Sequence, residues 1–407
     1  MKRQTLLRLG VPAAAALLAP AAVAAPALAA APVAPTVTQV SASAVVGQTV
    51  KFKFAEPDGS RPAEYRWMIN GGELLGEVTA TDGRATAKIV ATRTTTQLAV
   101  YAIGADGSFG DTTNVTFNAT QPAAYADQDL DGDARPDLVA VVGDTLLVAG
   151  GKGTGGKVRV PAASLGSDSG AGGTFAGMQI ITGKFTGGPF EDYLAYEPGT
   201  GVALAYDGLG AVDLTYPRLV YLNEHSIGPL LSDWDGNNPI QLATAYDGSG
   251  PHTMPDLVGI LGSATSGYHF EYYVSYDAIT GFYQTPVDTA VSTPAGGSDW
   301  ENWKISSKLL PSGTAVSLWN PTTGALYLWE GVTFDNDSGR LSYTPYRLSA
   351  KFFPGAGATL RLTDFDADGV PDIWAVSPAG SVTAYQVSGL SPTGTARLKA
   401  KAPQPLV

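Results

Sequence analysis

A ten-residue stretch late in the sequence reads Asp364-Phe365-Asp366-Ala367-Asp368-Gly369-Val370-Pro371-Asp372-Ile373. It places carboxylates at loop positions 1, 3, 5 and 9 and a glycine at position 6. A near copy, Asp129-Leu130-Asp131-Gly132-Asp133-Ala134-Arg135-Pro136-Asp137-Leu138, occurs earlier in the chain. Four carboxylates in one tight turn repel each other unless a hard cation neutralises them, and calcium accepts carboxylate and carbonyl oxygens in flexible geometry. The two stretches therefore predict calcium loops.

The side chains and carbonyls expected to hold calcium follow from this spacing. They are Asp129, Asp131, Asp133, the carbonyl of Arg135 and Asp137 in the first loop, and Asp364, Asp366, Asp368, the carbonyl of Val370 and Asp372 in the second. Gly369 suits a left-handed turn, whereas Ala134 at the same position adopts that conformation only with strain. Asp127 offers an extra carboxylate beside the first loop.

Two other structures compete with a calcium loop of this type at the acidic stretches. An EF-hand requires a Glu at position 12 and a following helix, but position 12 is Ala140 or Ala375 and the apolar runs after both loops predict buried strands. A surface Asx turn needs no metal and is common where Asp and Gly cluster. Two copies with the same ending favour calcium over this alternative.

At these residues the chain resembles the FG-GAP/VCBS repeat family, whose loops run Asp-Phe-Asp-Gly-Asp-Gly-Lys-Pro-Asp-Leu-Val. The match is close over 364–373 and departs at Ala134 in the earlier copy. The resemblance implies a β-propeller with calcium loops on its blades, of the kind found in secreted or surface adhesion and sugar-binding proteins.

The strand that follows the loop recurs along the chain. Copies begin at Asp137, Asp192, Asp256, Thr314 and Asp372, at spacings of 55 to 64 residues. A period of this size with strands in every unit predicts propeller blades over residues 120–407. Five blades are favoured, with six or seven still open. If the ring closes, the first and last blades are neighbours and their calcium loops flank the closure.

Not every copy keeps the carboxylates. The second and fourth lack them, and the third offers a weaker candidate metal loop at Asp233, Asp235 and Asn237. We therefore expect two good calcium sites and one weak one.

Residues 36–119 show strand-like runs separated by turn signals such as Asp82-Gly83 and Asp106-Gly107. Runs spaced in this way predict a β-sandwich, and the stretch resembles a bacterial immunoglobulin-like domain. Its expected role is that of a spacer, and a short Ala/Pro linker at 30–35 precedes it. The predicted fold class is thus all-β, an immunoglobulin-like sandwich followed by a propeller.

The amino-acid composition restricts the classes of binding partner and the cellular compartment that we expect. The net charge of −12, without a basic cluster, disfavours nucleic acid. The absence of cysteine excludes disulfides and a cysteine nucleophile. Residues 1–29 read as a secretory signal ending at Ala27-Leu28-Ala29. We expect a secreted protein, extracellular or associated with the cell wall, with no membrane insertion after signal removal.

No linear pattern of catalytic residues is found, so the chain is predicted not to be an enzyme. Trp300 and Trp303, beside polar residues, are candidate sugar-stacking groups, although indoles equally often pack in a core. The expected function is binding of an extracellular glycan or a surface protein through propeller loops. A polysaccharide hydrolase or lyase using Asp and Glu, and a structural module of a surface assembly, are the alternatives.

Overall fold

The computed structural model describes residues 31–41, 44–70, 74–92, 94–120, 122–165, 174–185, 188–207, 218–221, 231–250, 252, 254–277 and 282–407. In this part of the chain every regular element is a β-strand apart from one 3-10 turn at Trp300–Asn302, which confirms the all-β class. No helix among these residues is long and apolar enough to cross a membrane. The predicted signal, 1–29, and the first linker residue lie outside the described residues.

The first eight strands form two sheets. They are β1 (Thr36–Gln39), β2 (Ala44–Val45), β3 (Thr49–Ala55), β4 (Glu64–Ile69), β5 (Leu74–Thr79), β6 (Arg84–Val90), β7 (Thr95–Ile103) and β8 (Thr113–Thr120). The sheet orders are β1-β3-β6 and β2-β8-β7-β4-β5, antiparallel except for the β2/β8 pair. The pleat explains the packing, because Val50, Phe52 and Phe54 of β3 point into a shared core while alternate residues face solvent.

The remaining strands make five further sheets and one short hairpin. They are β9 (Leu138–Val142), β10 (Thr145–Ala149), β11 (Ala163–Leu165), β12 (Gln179–Gly183), β13 (Asp192–Glu197), β14 (Val202–Asp207), β15 (Arg218–Tyr221), β16 (Gln241–Tyr246), β17 (Asp256–Ser263), β18 (Gly267–Tyr273), β19 (Ser275–Asp277), β20 (Phe282–Tyr283), β21 (Val287–Asp288), β22 (Lys304–Leu310), β23 (Gly313–Asn320), β24 (Ala325–Asp335), β25 (Arg340–Ser349), β26 (Thr359–Thr363), β27 (Asp372–Val376), β28 (Ser381–Ser388), β29 (Arg397–Ala400) and β30 (Gln404–Pro405).

We number the five sheets in chain order. Sheet 1 is β11-β10-β9, sheet 2 is β12-β13-β14-β15, sheet 3 is β16-β17-β18-β21, sheet 4 is β22-β23-β24-β25, and sheet 5 is β26-β27-β28-β29 with β30 also paired to β28. The β19/β20 hairpin stands apart. Strands begin at Leu138, Asp192, Asp256, Gly313 and Asp372, each within one residue of the predicted recurrence.

Five apolar clusters join these sheets in a closed circuit. Consecutive sheets share clusters centred on Tyr193, Tyr273, Trp329 and Leu328. The circuit closes because sheets 5 and 1 share a cluster around Trp374. Each sheet is therefore covered on both faces, which explains why β27 is apolar from Ile373 to Val376 and is buried at every residue. We call this arrangement the five-sheet ring.

The first strands of sheets 2 to 5 line the middle of the ring, where β12 contacts β16, β16 contacts β22 and β22 contacts β26. Sheet 1 has three strands and lacks such a first strand. Two side chains cross the position that a first strand of sheet 1 would occupy. Arg361 of β26 donates from Nε to the Val139 carbonyl at 3.0 Å and from Nη1 to the Ile180 carbonyl. Gln128 donates from Nε2 to the Leu362 carbonyl at 2.8 Å.

Residues 404–406 also bind sheet 5 to sheet 1. Leu406 is fully buried. Its N–H donates to the Gly380 carbonyl at 2.9 Å, and its own carbonyl accepts from the Ala162 N–H at 2.8 Å. Gln404 donates from Nε2 to the Val158 carbonyl at 2.6 Å. This segment therefore closes the ring from the outside.

Candidate functional site

The later acidic loop, between β26 and β27, brings three carboxylates together. Oxygens of Asp364, Asp366 and Asp372 lie within 4.8 Å of one another and could hold a metal ion. Asp366 Oδ1 and Asp372 Oδ2 are buried and have no hydrogen-bond partner among the described residues. A buried carboxylate oxygen without a partner carries a large desolvation cost. Burial raises the pKa of Asp372 to about 8 and also raises that of Asp364. A cation between these oxygens would remove that cost.

The backbone of the two acidic loops turns left-handed at positions 4 and 6. In the later loop these positions are Ala367, with φ +56°, and Gly369, with φ +81°. In the earlier loop they are Gly132, with φ +78°, and Ala134, with φ +61°. The expected left-handed Gly369 and strained Ala134 are confirmed. Each loop thus has one glycine and one strained alanine, in opposite order.

The earlier loop gathers Asp129, Asp131 and Asp137 within the same 4.8 Å limit. Its oxygens are already engaged. Arg159 donates from Nη1 to Asp131 Oδ2 at 2.7 Å, and both oxygens of Asp137 accept backbone N–H groups, from Leu130 and Gly151. Burial nevertheless raises the pKa of Asp137 to about 7. The two loops are therefore unequal in their free oxygens, whereas the sequence suggested a looser earlier site only because of Ala134.

The position-5 carboxylates do not join these groups. Asp133 accepts from Arg159 Nη2 at 2.6 Å and from its own loop at the Arg135 N–H. Asp368 accepts from the Val370 N–H at 2.8 Å. Their predicted role as ligands, and that of the Arg135 and Val370 carbonyls, stays a prediction.

The weaker third loop forms a closed Asx turn. Asp233 accepts from the Asp235 N–H at 2.9 Å, from the Asn237 N–H at 2.8 Å and from Asn237 Nδ2 at 2.7 Å. The loop's own groups thus satisfy Asp233, and the three residues include only two carboxylates. We place no metal among them.

The structure contradicts the ligand-binding role predicted for Trp300 and Trp303. Their residues are 2% and 1% exposed. Trp300 packs against Phe270, with ring centroids 5.0 Å apart, and donates to the Val291 carbonyl. Polar neighbours suggested a surface loop, but the 3-10 turn directs Glu301 to solvent and both indoles into the core between sheets 3 and 4.

A cavity of about 1000 Å³ lies in the ring where the first strands begin. Apolar wall residues include Ile180, Leu242 and Trp319. Hydrogen-bonding and charged residues also line it, namely Gln179, Gln241, Lys304, Ser306, Ser317, Thr359, Arg361 and Ser377. No Asp, Glu or His lines the cavity within the described residues. We call it the axial cavity.

Its two cations have no counter-ion in the described part of the chain. No ion pair joins Lys304 or Arg361 to a carboxylate there. Burial lowers the pKa of Lys304, and lowers that of Arg361 to about 10. Arg361 remains charged at neutral pH. Positive charge without a partner, beside partly apolar walls, makes the axial cavity attractive to an anion.

The opposite end of the ring is closed by a buried charge cluster. Asp127 accepts from Tyr246 Oη at 2.7 Å and pairs with Lys308 Nζ at 3.0 Å. Lys184 Nζ lies 3.8 Å from the buried Glu191. Burial raises the pKa of Glu191 well above its usual range, with Asp127 the next cause. Asp127 therefore belongs to this charge cluster. Its carboxylate binds Tyr246 and Lys308 and not the neighbouring acidic loop, beside which the sequence placed it as an extra carboxylate.

The acidic loops lie at the same end as this cluster. The later loop follows the last residue of β26, Thr363, and the earlier loop precedes β9. The axial cavity instead contacts the first residues of β12, β16, β22 and β26. Metal loops and cavity thus occupy opposite ends of the ring.

Comparison with known proteins assigns no family. No family model and no curated protein matches the chain. Solved structures similar to it include an auxiliary nutrient binding protein from Bacteroides ovatus, with TM-score 0.33, 11% identity, and coverage of 86% of this chain and 82% of that one. A Photorhabdus luminescens Tc holotoxin pore gives TM-score 0.27, 10% identity, and coverage of 87% and 16%.

A third similar structure is a 1.5-MDa bacterial ice-binding adhesin, with TM-score 0.18, 10% identity, and coverage of 91% of this chain and 96% of that one. At this level of identity and TM-score, none of the three supports a statement about what this chain binds.

Proposed function

We propose that this chain is a calcium-stabilised binding protein whose ligand, a carbohydrate carrying acidic groups, occupies the axial cavity. The single observation behind this proposal is the axial cavity itself, which presents amides, hydroxyls and two unpaired cations but no described carboxylate. In a chain of net charge −12, a cavity with only positive side-chain charge is selective for anions.

Carbohydrate fits the mixture of groups in the cavity. Sugar hydroxyls pair with amides such as Gln179 and Gln241, while sugar C–H faces pack on apolar walls such as Leu242. A carboxylate or sulfate on the sugar would pair with Lys304, and with those Arg361 N–H groups that do not bind backbone carbonyls. The cavity volume of about 1000 Å³ is sufficient for an oligosaccharide end.

We further infer that the five-sheet ring is a five-bladed propeller of the FG-GAP/VCBS type. The closed circuit of five apolar clusters and the recurrence of one strand start in every sheet support this inference. The two preceding sheets then form the immunoglobulin-like spacer. Secretion after removal of residues 1–29 fits an extracellular sugar ligand, and bound calcium would supply the stabilisation that disulfides give to many secreted proteins.

Calcium is the metal we propose for the loop of Asp364, Asp366 and Asp372. A set made only of oxygen donors favours calcium or magnesium, and an irregular loop suits the more flexible geometry of calcium. Its position opposite the axial cavity supports a structural role rather than contact with the ligand.

The test uses the calcium-loaded protein and two trisaccharides of similar size, trigalacturonic acid and neutral maltotriose, measured by titration calorimetry. Trigalacturonic acid should bind, and maltotriose should bind about tenfold more weakly or worse, because it lacks the ionic contact. Lys304→Gln should weaken acidic-sugar binding by a similar factor. Lys399→Gln, an exposed lysine on β29, is the matched control and should have no effect.

Two results would count against the proposal. Equal binding of both sugars would show that the cavity does not select anionic ligands. If neither sugar binds, the ligand is not a carbohydrate of this type. Release of reducing ends from polygalacturonate would instead support a hydrolase or lyase.

A further inference from the structure

A second, smaller pocket lies on sheet 3, outside the axial cavity. Its volume is about 210 Å³. Four carboxylates and one imidazole line it, from Asp233, Asp235, His269, Glu271 and Asp288. Lysine and arginine are absent from its described lining. Its charge is thus opposite to that of the axial cavity.

Glu271 is the buried group of this pocket. The residue is 7% exposed, on β18, and its carboxylate makes no hydrogen bond or ion pair with any described residue. Burial raises the pKa of Glu271 to about 7, and Asp288 and Asp233 raise it further. Its oxygens are not among the fully buried atoms that lack a partner, so they open onto the pocket, where a cation would pair with them.

No three ligand atoms of these carboxylates and the imidazole lie within 4.8 Å of one another. Only the two loop groups described above have three ligand atoms within 4.8 Å among the described residues, and no group includes Glu271, Asp288 or Asp233. His269 Nδ1 lies 3.2 Å from Asp288 Oδ2, which already engages one oxygen of that carboxylate. A cation larger than calcium would contact these groups without drawing them together.

An exposed aromatic ring completes the pocket. Trp234 is 90% exposed and lines the same space as Glu271. Indole faces attract organic ammonium ions through the ring quadrupole, and trimethylated ammonium groups are bound by aromatic rings and carboxylates together.

We infer that the pocket of Trp234, Glu271 and Asp288 binds an organic ammonium group, a primary or methylated amine carried by a small ligand or a chain end. The buried Glu271 carboxylate supplies the counter-charge, Asp288 and Asp233 add to the negative field, and Trp234 covers the cation. This site is independent of the ligand proposed for the axial cavity.

Choline is the probe, and 3,3-dimethyl-1-butanol, its uncharged isostere, is the control ligand. Both are titrated into the full calcium-loaded chain, with heat and Trp fluorescence as readouts. We expect choline to bind and the isostere to bind at least about tenfold more weakly, because shape is matched and only charge differs. Trp234→Ala should weaken choline binding about tenfold, and Glu271→Gln by more.

Matched variants separate this site from general effects. Glu301→Gln removes an exposed carboxylate outside the pocket, and Lys304→Gln alters only the axial cavity; both should leave choline binding unchanged. Glu271→Gln keeps the shape of the side chain, and Trp234→Ala changes an exposed residue, so folding is retained in at least one of them.

Three results would overturn the inference. These are no choline binding at tens of millimolar, equal binding of the isostere, or unchanged choline binding in both pocket variants. Stoichiometric displacement of choline by further calcium would reassign the pocket as a metal site.

Discussion

Arg159 and Asp131 form a charged hydrogen bond of 2.7 Å inside the earlier acidic loop. The later loop has an uncharged amide in a similar role, since Gln386 Nε2 donates to Asp366 Oδ2 at 2.7 Å. The guanidinium neutralises part of the charge that a metal would otherwise neutralise. Two loops with almost the same sequence therefore differ in charge because of a residue outside both of them.

The first prediction follows from this difference. The later loop should bind calcium more tightly, and Arg159→Gln should strengthen binding at the earlier loop, because it removes a competing cation. Two-site calcium titration calorimetry should show the weaker site gaining about tenfold. Arg84→Gln, on β6 of the sandwich, is the control. A weaker site that does not respond to Arg159→Gln would contradict the competition.

The second prediction concerns stability. Calcium bound to the native state, as proposed, should raise the melting temperature of the ring by mass action. Asp366→Asn removes one charge from the later loop and should abolish most of this rise, while Asp337→Asn, at an exposed turn, should leave it intact. Thermal unfolding with calcium and with chelator measures both. If the melting temperature is indifferent to chelator, calcium has no structural role.

The third prediction concerns Ala367, which has φ +56°. The left-handed region costs an alanine about 1 kcal/mol relative to glycine. Ala367→Gly should therefore raise the free energy of unfolding by up to about 1 kcal/mol, measured without metal by urea unfolding. Ala379→Gly, at a turn with ordinary φ, should lower it slightly through the greater entropy of the unfolded chain. A loss of stability in both variants would disprove the strain.

The fourth prediction is a pH dependence in the sandwich. Burial raises the pKa of Glu56, Asp58 raises it further, and Glu56 Oε1 is buried without a partner. The folded carboxyl therefore holds its proton to a higher pH than the unfolded one, and the sandwich loses stability as the pH rises between the two pKa values. Below the unfolded pKa of about 4.3 the penalty is absent.

Glu56→Gln should consequently be more stable than the natural chain at pH 7.5 and no more stable at pH 4. Urea unfolding at both values checks this. Glu77→Gln, whose carboxylate is largely exposed, serves as the control. A gain of the same size at both pH values would show that ionisation of Glu56 is not the cause.

Local pattern was sufficient to predict the strand that recurs in each repeat. The β27 segment was expected from its apolar run after Asp372, although the sheets that cover both of its faces come from distant parts of the chain. The left-handed Gly369 was likewise expected from the loop pattern. In both cases the signal used for the prediction lies in residues close together in sequence.

Features that depend on distant residues were not predictable. Arg159 lies 28 residues beyond Asp131, and nothing near Arg159 marks it as the partner of that loop. The left-handed backbone at Ala367 could not be predicted, because this position does not carry a glycine. Trp300 and Trp303 have polar neighbours because the 3-10 turn exposes the two residues between them, so burial of the indoles emerges only from packing between two sheets. The axial cavity exists only once several strands meet.

The backbone hydrogen bonds made by Leu406 determine when the ring can close during synthesis of the chain. Sheet 1 is complete at Leu165, but the backbone bonds that join it to sheet 5 require residue 406. During synthesis the chain emerges from its N-terminal side, and domains generally fold as units. One apolar face of sheet 1 must therefore stay uncovered until sheet 5 and residue 406 have been synthesised, and during that interval it is a natural target for chaperones.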